Sequence, residues 1–194
     1  MNVRFHLLAG AAVLGLISFT AVPAQSQQSG GTERSKGRAM AENTANRMTG
    51  GDSNFATKAA QGGMAEVQLG QLAESNASSQ QVKNFGQRMV TDHTKANDEL
   101  KSIASRKGMT LPTGLDAKDQ AEYDRLSKLN GAAFDRAYMQ MMVSDHRKDV
   151  NEFENEANNG TDPDLKAFAG KTLPTLHEHL QMAETTDAQV KKEK

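Results

Sequence analysis

The sequence predicts an all-α protein organised as a bundle of four long helices. Apolar residues recur at intervals of three and four over four long stretches, as on the buried face of a helix. No stretch alternates at a period of two with β-branched residues, so no strand is predicted. Short connections join the first stretch to the second and the third to the fourth, which is typical of two helical hairpins in a four-helix bundle.

The first 24 residues predict a secretory signal peptide. Arg4 and His6 form a short basic start, an apolar run covers residues 7–22, and small residues occur at Val22-Pro23-Ala24. The run is shorter than the roughly 20 residues of a comfortable membrane span. An uncleaved anchor is the alternative. Cleavage would leave an exported protein without a transmembrane helix.

Residues 25–53 predict a flexible linker, because Gln, Ser, Gly, Thr and Asn dominate and large apolar side chains are few. The bundle domain is expected over residues 54–187, and a frayed basic tail over residues 188–194.

The chain has no Cys, which excludes disulfides, thiolate metal sites and cysteine nucleophiles. Its net charge of −1 lacks the basic surplus of nucleic-acid-binding proteins, so no nucleic-acid partner is expected.

The first long helix, helix A, is expected over residues 54–75 with Asp52 or Ser53 as its N-cap. Glu66 lies within its apolar stripe, not at the edge. Glycine costs stability inside a helix, so the glycines of helix A are expected where a neighbouring helix comes close. These glycines are Gly62, Gly63 and Gly70.

Helix B is expected to run from a capping box formed by Ser78 and Gln81 to a terminal glycine at Gly108. Its apolar stripe contains His93. In the long connection that follows, Asp116 is expected to cap a short extra helix. Such a connection allows helices B and C to run parallel, which is the ferritin-like arrangement rather than a simple up-and-down bundle.

Helix C is expected over residues 132–158, after a break at Asn130-Gly131. Helix D is expected to begin with Asp162 as its N-cap and Pro163 at the first helical position. Pro174 falls inside helix D, where it removes a backbone hydrogen bond, so a kink is expected there.

A sequence repeat marks the middle of helices B and C. The segment MVTDHTK at residues 89–95 returns as MVSDHRK at residues 142–148, so each helix carries an Asp-His pair near its mid-length. On a helical wheel, His93 and His146 fall among the apolar residues of their helices. His179 occupies the same kind of position in helix D, as Glu66 does in helix A.

Each long helix therefore offers one ionisable residue near mid-height: Glu66, His93, His146 and His179. Buried ionisable groups are costly unless paired, so these four are expected to meet one another or a metal. One carboxylate and three imidazoles suit a single ion of zinc, iron, manganese or copper. A di-iron site needs Glu-x-x-His motifs. The residues three positions before the histidines are instead Val90, Val143 and Leu176.

The alternative interpretation is a buried polar layer that sets helix register without binding a metal. Asp92, Asp145 and Asp149 are candidates for hydrogen bonds to the histidines across helices, and surface ion pairs are their other role. No nucleophile–His–Asp arrangement and no phosphate-binding loop occurs, so no catalytic or organic-cofactor residue is predicted. A redox enzyme is a third hypothesis, and it requires an open coordination position.

Three segments carry a resemblance to a known family. They are LGQLA to MVTDH at residues 69–93 with Glu66 before them, GAAFDRAY to MVSDH at residues 131–146, and LPTLHEHL at residues 173–180. Over about residues 54–185 the chain resembles the bacterial secreted ferritin-like family called domain of unknown function 4142. The resemblance implies a ferritin-like bundle exported to the periplasm, often labelled an outer-membrane protein, with no established activity.

The predicted function is that of a periplasmic or secreted protein, peripheral to the outer membrane, that binds one transition-metal ion. The alternative is a structural, interaction or stress-response module of the cell envelope. An envelope protein or a second copy of the chain, forming a homodimer, is the expected partner.

Overall fold

The computed structural model describes residues 49–192, and this part of the chain contains helices and no strand. Its helices are α1 (Gly50–Asn76), α2 (Gln80–Lys107), α3 (Ala117–Leu126), α4 (Gly131–Asn159) and α5 (Pro163–Val190). The all-α prediction is confirmed: α1, α2, α4 and α5 are helices A to D, and α3 is the short extra helix. The predicted signal peptide and most of the predicted linker lie outside the described residues.

The four long helices form the predicted bundle of two hairpins. Helices α1 and α2 pack along each other, as do α4 and α5, and smaller contacts join α2 to α5 and α1 to α4. The backbone N–H groups of Ser78 and Ser79, before α2, donate to Asp135 near the start of α4, at 3.1 and 3.0 Å. The two helices therefore start at the same end and run parallel, as expected for the ferritin-like arrangement.

The opposite end of the bundle is joined by Asp52. This buried carboxylate accepts hydrogen bonds from the backbone N–H of Thr161 at 2.8 Å and of Asp162 at 3.3 Å, just before α5. The same carboxylate accepts from the backbone N–H of Thr49 at 2.7 Å. One acidic side chain at each end thus ties helices from different hairpins together.

The start of α1 differs from the prediction. The helix begins at Gly50, before the expected boundary at residue 54, and its N-cap is Thr49 rather than Asp52 or Ser53. Asp52 instead completes a capping box with Thr49 from the third helical position. At the other end of the domain, α5 continues beyond residue 187 to Val190, which is 2% exposed.

The capping box predicted for Ser78 and Gln81 is wrong. The N-cap of α2 is Ser79, and no side chain of the helix's own N-terminus caps it. The Ser78 hydroxyl donates to Asp135 instead. A charged acceptor from another helix satisfies these donors better than the neutral Gln81 would, and local sequence does not show such a competitor.

The other predicted boundaries are confirmed. Asp116 caps α3, Asp162 caps α5 with Pro163 in the first turn, and Gly108 ends α2 with a left-handed φ of 64°. The break before α4 falls at Asn130, and Gly131 follows with φ 61°. Helix α5 runs through Pro174, and the kink expected there stays a prediction.

The glycines of α1 serve different purposes. A Cβ on Gly70 would lie 2.6 Å from the carbonyl oxygen of Gly86, so the backbones of α1 and α2 touch at this point. A Cβ on Gly63 would clash with Asn97. Both agree with the predicted close approach of a neighbouring helix. For Gly62 that prediction is wrong, because a Cβ there meets no atom within 4 Å.

The apolar core consists of two clusters, one above the other along the bundle. One contains Phe85 and Tyr138, and the other contains Phe55 and Phe153. In α2, α4 and α5 the predicted ionisable residues His93, His146 and His179 fall between the members of the two clusters, and in α1 Glu66 directly follows Ala65 of the first cluster. The four side chains therefore form a polar layer at mid-height. Within residues 49–192, no helix is both long and apolar enough to cross a membrane.

Candidate metal centre

The polar layer brings three histidine rings together. The ring centroids of His93 and His179 are 5.3 Å apart, those of His146 and His179 are 5.4 Å apart, and those of His93 and His146 are 6.0 Å apart. All three residues are buried. One nitrogen from each ring lies within 4.8 Å of the other two, so the group could hold a metal ion.

His146 has one nitrogen engaged and one free. Its Nδ1 lies 2.9 Å from the carbonyl oxygen of Met142, one turn earlier in α4. A carbonyl accepts hydrogen bonds only, so Nδ1 carries a proton and donates it to this bond. Nε2 is buried and has no hydrogen-bond partner in the described structure.

His179 shows the same pattern with its nitrogens exchanged. Its Nε2 donates to the carboxylate of Asp92 on α2 at 2.9 Å, and Nδ1 is buried without a hydrogen-bond partner among the described residues. Burial lowers the pKa of His179 to about 4, against the opposing effect of Asp92. The ring is therefore neutral at pH 7, with its lone pair on Nδ1.

Asp92 is itself held in place by a charged group. The Nε of Arg88, one turn earlier in α2, donates to Asp92 Oδ2, and the Nη2 of Arg88 lies 3.3 Å from Glu178 Oε2 on α5. Asp92 therefore accepts a hydrogen bond from His179 across helices and also forms an ion pair with Arg88, which are the two roles considered for it. The role of Arg88 was not predicted, although an Arg four residues before an Asp is a recognisable helical pair.

Glu66 completes the layer from α1. Its Oε2 forms a close ion pair with His93 Nε2, and its Oε1 lies 3.4 Å from His146 Nδ1. The carboxylate is 4% exposed, and burial alone would raise its pKa. The histidines around it, led by His146 and His93, outweigh burial and hold the pKa of Glu66 below its usual range. Glu66 is thus an ionised ligand candidate.

The two other predicted aspartates lie outside the histidine group. Asp145 forms an ion pair with Lys148 at 2.8 Å and makes no hydrogen bond to a histidine within residues 49–192. Asp149 makes neither a hydrogen bond nor an ion pair with any described residue. Burial, and then the negative charge of Glu66, raise the pKa of Asp149 well above its usual range.

The sequence matches the model of a known family. The family model for the domain of unknown function DUF4142 matches residues 37–186, which is most of the chain. The chain belongs to the DUF4142 family. The family resemblance found in the sequence is thereby confirmed. A comparison with curated proteins gave no match.

Solved structures with the same fold come from a second family of unknown function. A DUF305 fragment from Deinococcus radiodurans superposes with a TM-score of 0.65 at 13% identity, covering 73% of this chain and 98% of the fragment. A DUF305 protein from Streptomyces coelicolor, described as a "putative secreted protein", gives a TM-score of 0.62 at 13% identity. That match covers 72% of this DUF4142 chain and 93% of the other protein. At this identity the likeness shows a shared fold.

Proposed function

We propose that the protein is an exported helical-bundle protein that binds one transition-metal ion through His93, His146, His179 and Glu66. One observation carries the proposal: three buried imidazoles place a nitrogen of each within 4.8 Å of the others. In His146 and His179, the opposite nitrogen is already hydrogen-bonded, so the free nitrogen is the one able to bind a metal.

The hydrogen bonds support this role because a metal-binding histidine usually donates its second N–H to a carboxylate or a backbone carbonyl. His179 donates to the carboxylate of Asp92, and His146 donates to the backbone carbonyl of Met142. Such bonds set the tautomer and the ring orientation before any ion arrives. Leaving the free nitrogens buried without a partner costs free energy, which a bound ion would recover.

The ligand set suits a tetrahedral ion. Metal–nitrogen bonds of about 2.0–2.1 Å place ligand nitrogens about 3.3 Å apart, so an ion would draw the three rings slightly closer together. The Glu66 carboxylate would supply the fourth ligand and one negative charge against the charge of the ion. Zinc, iron, manganese and copper are the candidates, since each accepts imidazole and carboxylate ligands.

The proposed place of action is the periplasm or the cell exterior, peripheral to the outer membrane. The predicted signal peptide supports export, and so does the resemblance to a family of exported proteins. Metal storage, sensing or protection of the envelope are the roles open to a buried site of this kind. An envelope protein or a second copy of the chain is the proposed partner.

Elemental analysis tests the proposal. The protein would be purified from the periplasm without chelator or affinity tag, beside the double variant His93→Ala/His146→Ala. We expect about one metal ion per chain in the native protein and none in the double variant. His177→Ala is the matched control, because His177 lies on the same helix as His179 but is half exposed and outside the layer. The absence of metal in every sample, even after soaking with the four candidate ions, would contradict the proposal.

A second candidate function is that of a metal-free structural or interaction module of the envelope. The close pair between Glu66 and His93 favours it, because two buried groups that satisfy each other need no ion. In that case His93→Ala changes the midpoint of thermal unfolding, and added metal ions change it in neither the native protein nor the variant.

A further inference from the structure

Two adjoining cavities lie beside the polar layer. The outer one has a volume of about 150 Å³ and lies between α1, α3 and α4. The inner one has a volume of about 30 Å³ and reaches His93. Five residues line both cavities, so the two meet there: Gly62, Glu66, Asp149 and the ion-paired Lys58 and Glu152.

Gly62 keeps this junction open. It lies one helical turn before Glu66 on the same face of α1, and a Cβ at this position meets no atom within 4 Å. Gly63 and Gly70 in the same helix are required by close contacts, whereas no contact explains Gly62. A larger side chain at Gly62 would project into the space between the outer cavity and Glu66.

The charges around the outer cavity favour cations. Its carboxylates outnumber its lysines, and each lysine is already paired: Lys58 with Glu152 at 2.9 Å, Lys118 with Asp119 at 3.7 Å, and Lys148 with Asp145 at 2.8 Å. Asp149 lies at the junction without an ion pair to any described residue. Beyond it, both oxygens of the buried Glu66 carboxylate lack a regular hydrogen bond in the described structure.

We propose that divalent transition-metal ions reach the histidines through this cleft, with Asp149 as the first ligand and Glu66 as the carboxylate that passes the ion inward. The inference rests on the proposed metal binding at the layer and adds the route to it. Asp149 lies three residues after His146 on α4, so both side chains lie on neighbouring positions of one helix face. A negatively charged cleft also raises the local concentration of cations and their rate of association.

Binding kinetics test the route, with Co²⁺ as the probe because its absorbance reports coordination. For Gly62→Leu we expect association and release both to slow by about tenfold, since access to a buried site limits both steps. The equilibrium affinity stays the same because no ligand has changed. For Asp149→Asn we expect association to slow by about tenfold, because an amide cannot supply the anionic oxygen ligand that a deprotonated carboxylate offers to an entering ion.

Gly170→Leu is the matched control for Gly62→Leu. Gly170 is an exposed glycine inside α5 whose Cβ would meet only Ala157, at 3.9 Å. Its binding rates are expected to match those of the native protein, and circular dichroism checks that each variant is folded. Native rates in a folded Gly62→Leu variant would overturn the route while leaving the metal site intact. Failure of the native protein to bind Co²⁺, or any other candidate ion, would overturn both proposals.

Discussion

The carboxylate of Asp92 on α2 accepts a hydrogen bond from His179 Nε2 on α5 at 2.9 Å, and this leaves Nδ1 as the free nitrogen of the ring. The bond joins the two hairpins next to the histidine group. It also makes Asp92 a residue that acts on the proposed metal through the orientation of His179, without touching the ion.

Removing this hydrogen bond is expected to weaken metal binding. For Asp92→Ala we expect the affinity to fall by about 10–100-fold, the usual loss when a carboxylate behind a histidine ligand is removed. Competition titration with a chromophoric chelator measures the metal affinity of each variant. Asp145→Ala is the matched control, because Asp145 also precedes its histidine in the repeat but pairs with Lys148. An equal loss in both variants would show that general negative charge, and not the bond to His179, is responsible.

The stability of the bundle is expected to depend on pH through Glu156. Burial, followed by the negative charge of Asp52, raises the pKa of Glu156 to about 7 from its ordinary value of 4.5. The folded state therefore binds a proton that the unfolded state releases between these values. The stabilisation is complete below pH 4.5 and is lost as the pH rises through about 7.

Denaturant unfolding of the native protein and Glu156→Gln between pH 5 and pH 8 measures this effect. The native protein is expected to lose stability relative to the variant as the pH rises, since the amide cannot ionise. Glu74→Gln, at an exposed position of α1, serves as the control and should follow the native protein. A constant difference between native and Glu156→Gln proteins across this range would contradict the assignment.

The buried carboxylates at the two ends of the bundle are expected to matter more for stability than surface aspartates. Asp135→Ala leaves the backbone N–H groups of Ser78 and Ser79 without their acceptor, so we expect a loss of about 2–4 kcal/mol in the free energy of unfolding. Asp98→Ala is the comparison, because Asp98 is exposed and its partner Lys101 is equally exposed. A similar small change in both variants would contradict the role given to Asp135.

Two alanine substitutions in α1 are expected to have opposite effects. Gly70→Ala places a methyl group 2.6 Å from the carbonyl of Gly86, and the forced separation of α1 and α2 should cost about 1–3 kcal/mol. Gly62→Ala meets no atom, and the better helix propensity of alanine should stabilise the protein by about 0.5–1 kcal/mol. The thermal unfolding midpoints of the two variants test this prediction. A lower midpoint for Gly62→Ala than for the native protein would show that the cleft is narrower than described.

The helical periodicity of the sequence predicted most of the fold and also the residues that form the polar layer. A residue placed in the apolar stripe near mid-helix has to meet its counterparts when four such helices pack, so Glu66, His93, His146 and His179 were found together. The parallel course of α2 and α4 followed from the length of their connection. These features depend only on residue spacing and connection length, so they can be predicted from a single sequence.

Contacts between helices were harder to predict. Ser78 has a plausible local partner in Gln81, yet Asp135 from α4 binds it, because the stronger acceptor is distant in sequence. The two Asp-His pairs of the repeat look equivalent in sequence, but Asp92 reaches a histidine and Asp145 reaches a lysine. The choice depends on which helix lies opposite each pair. Gly62 and Gly63 likewise differ only in the helix face they occupy.

The proposed ligands are shared equally between the two hairpins of the bundle. Glu66 and His93 belong to α1 and α2, whereas His146 and His179 belong to α4 and α5, and contacts within each hairpin are more extensive than those between them. An ion bound by all four would be a crosslink between the first and second halves of the chain. In a protein without cysteine, this crosslink would restrict the unfolded chain as a disulfide does elsewhere, and chelation of the ion would remove the restriction.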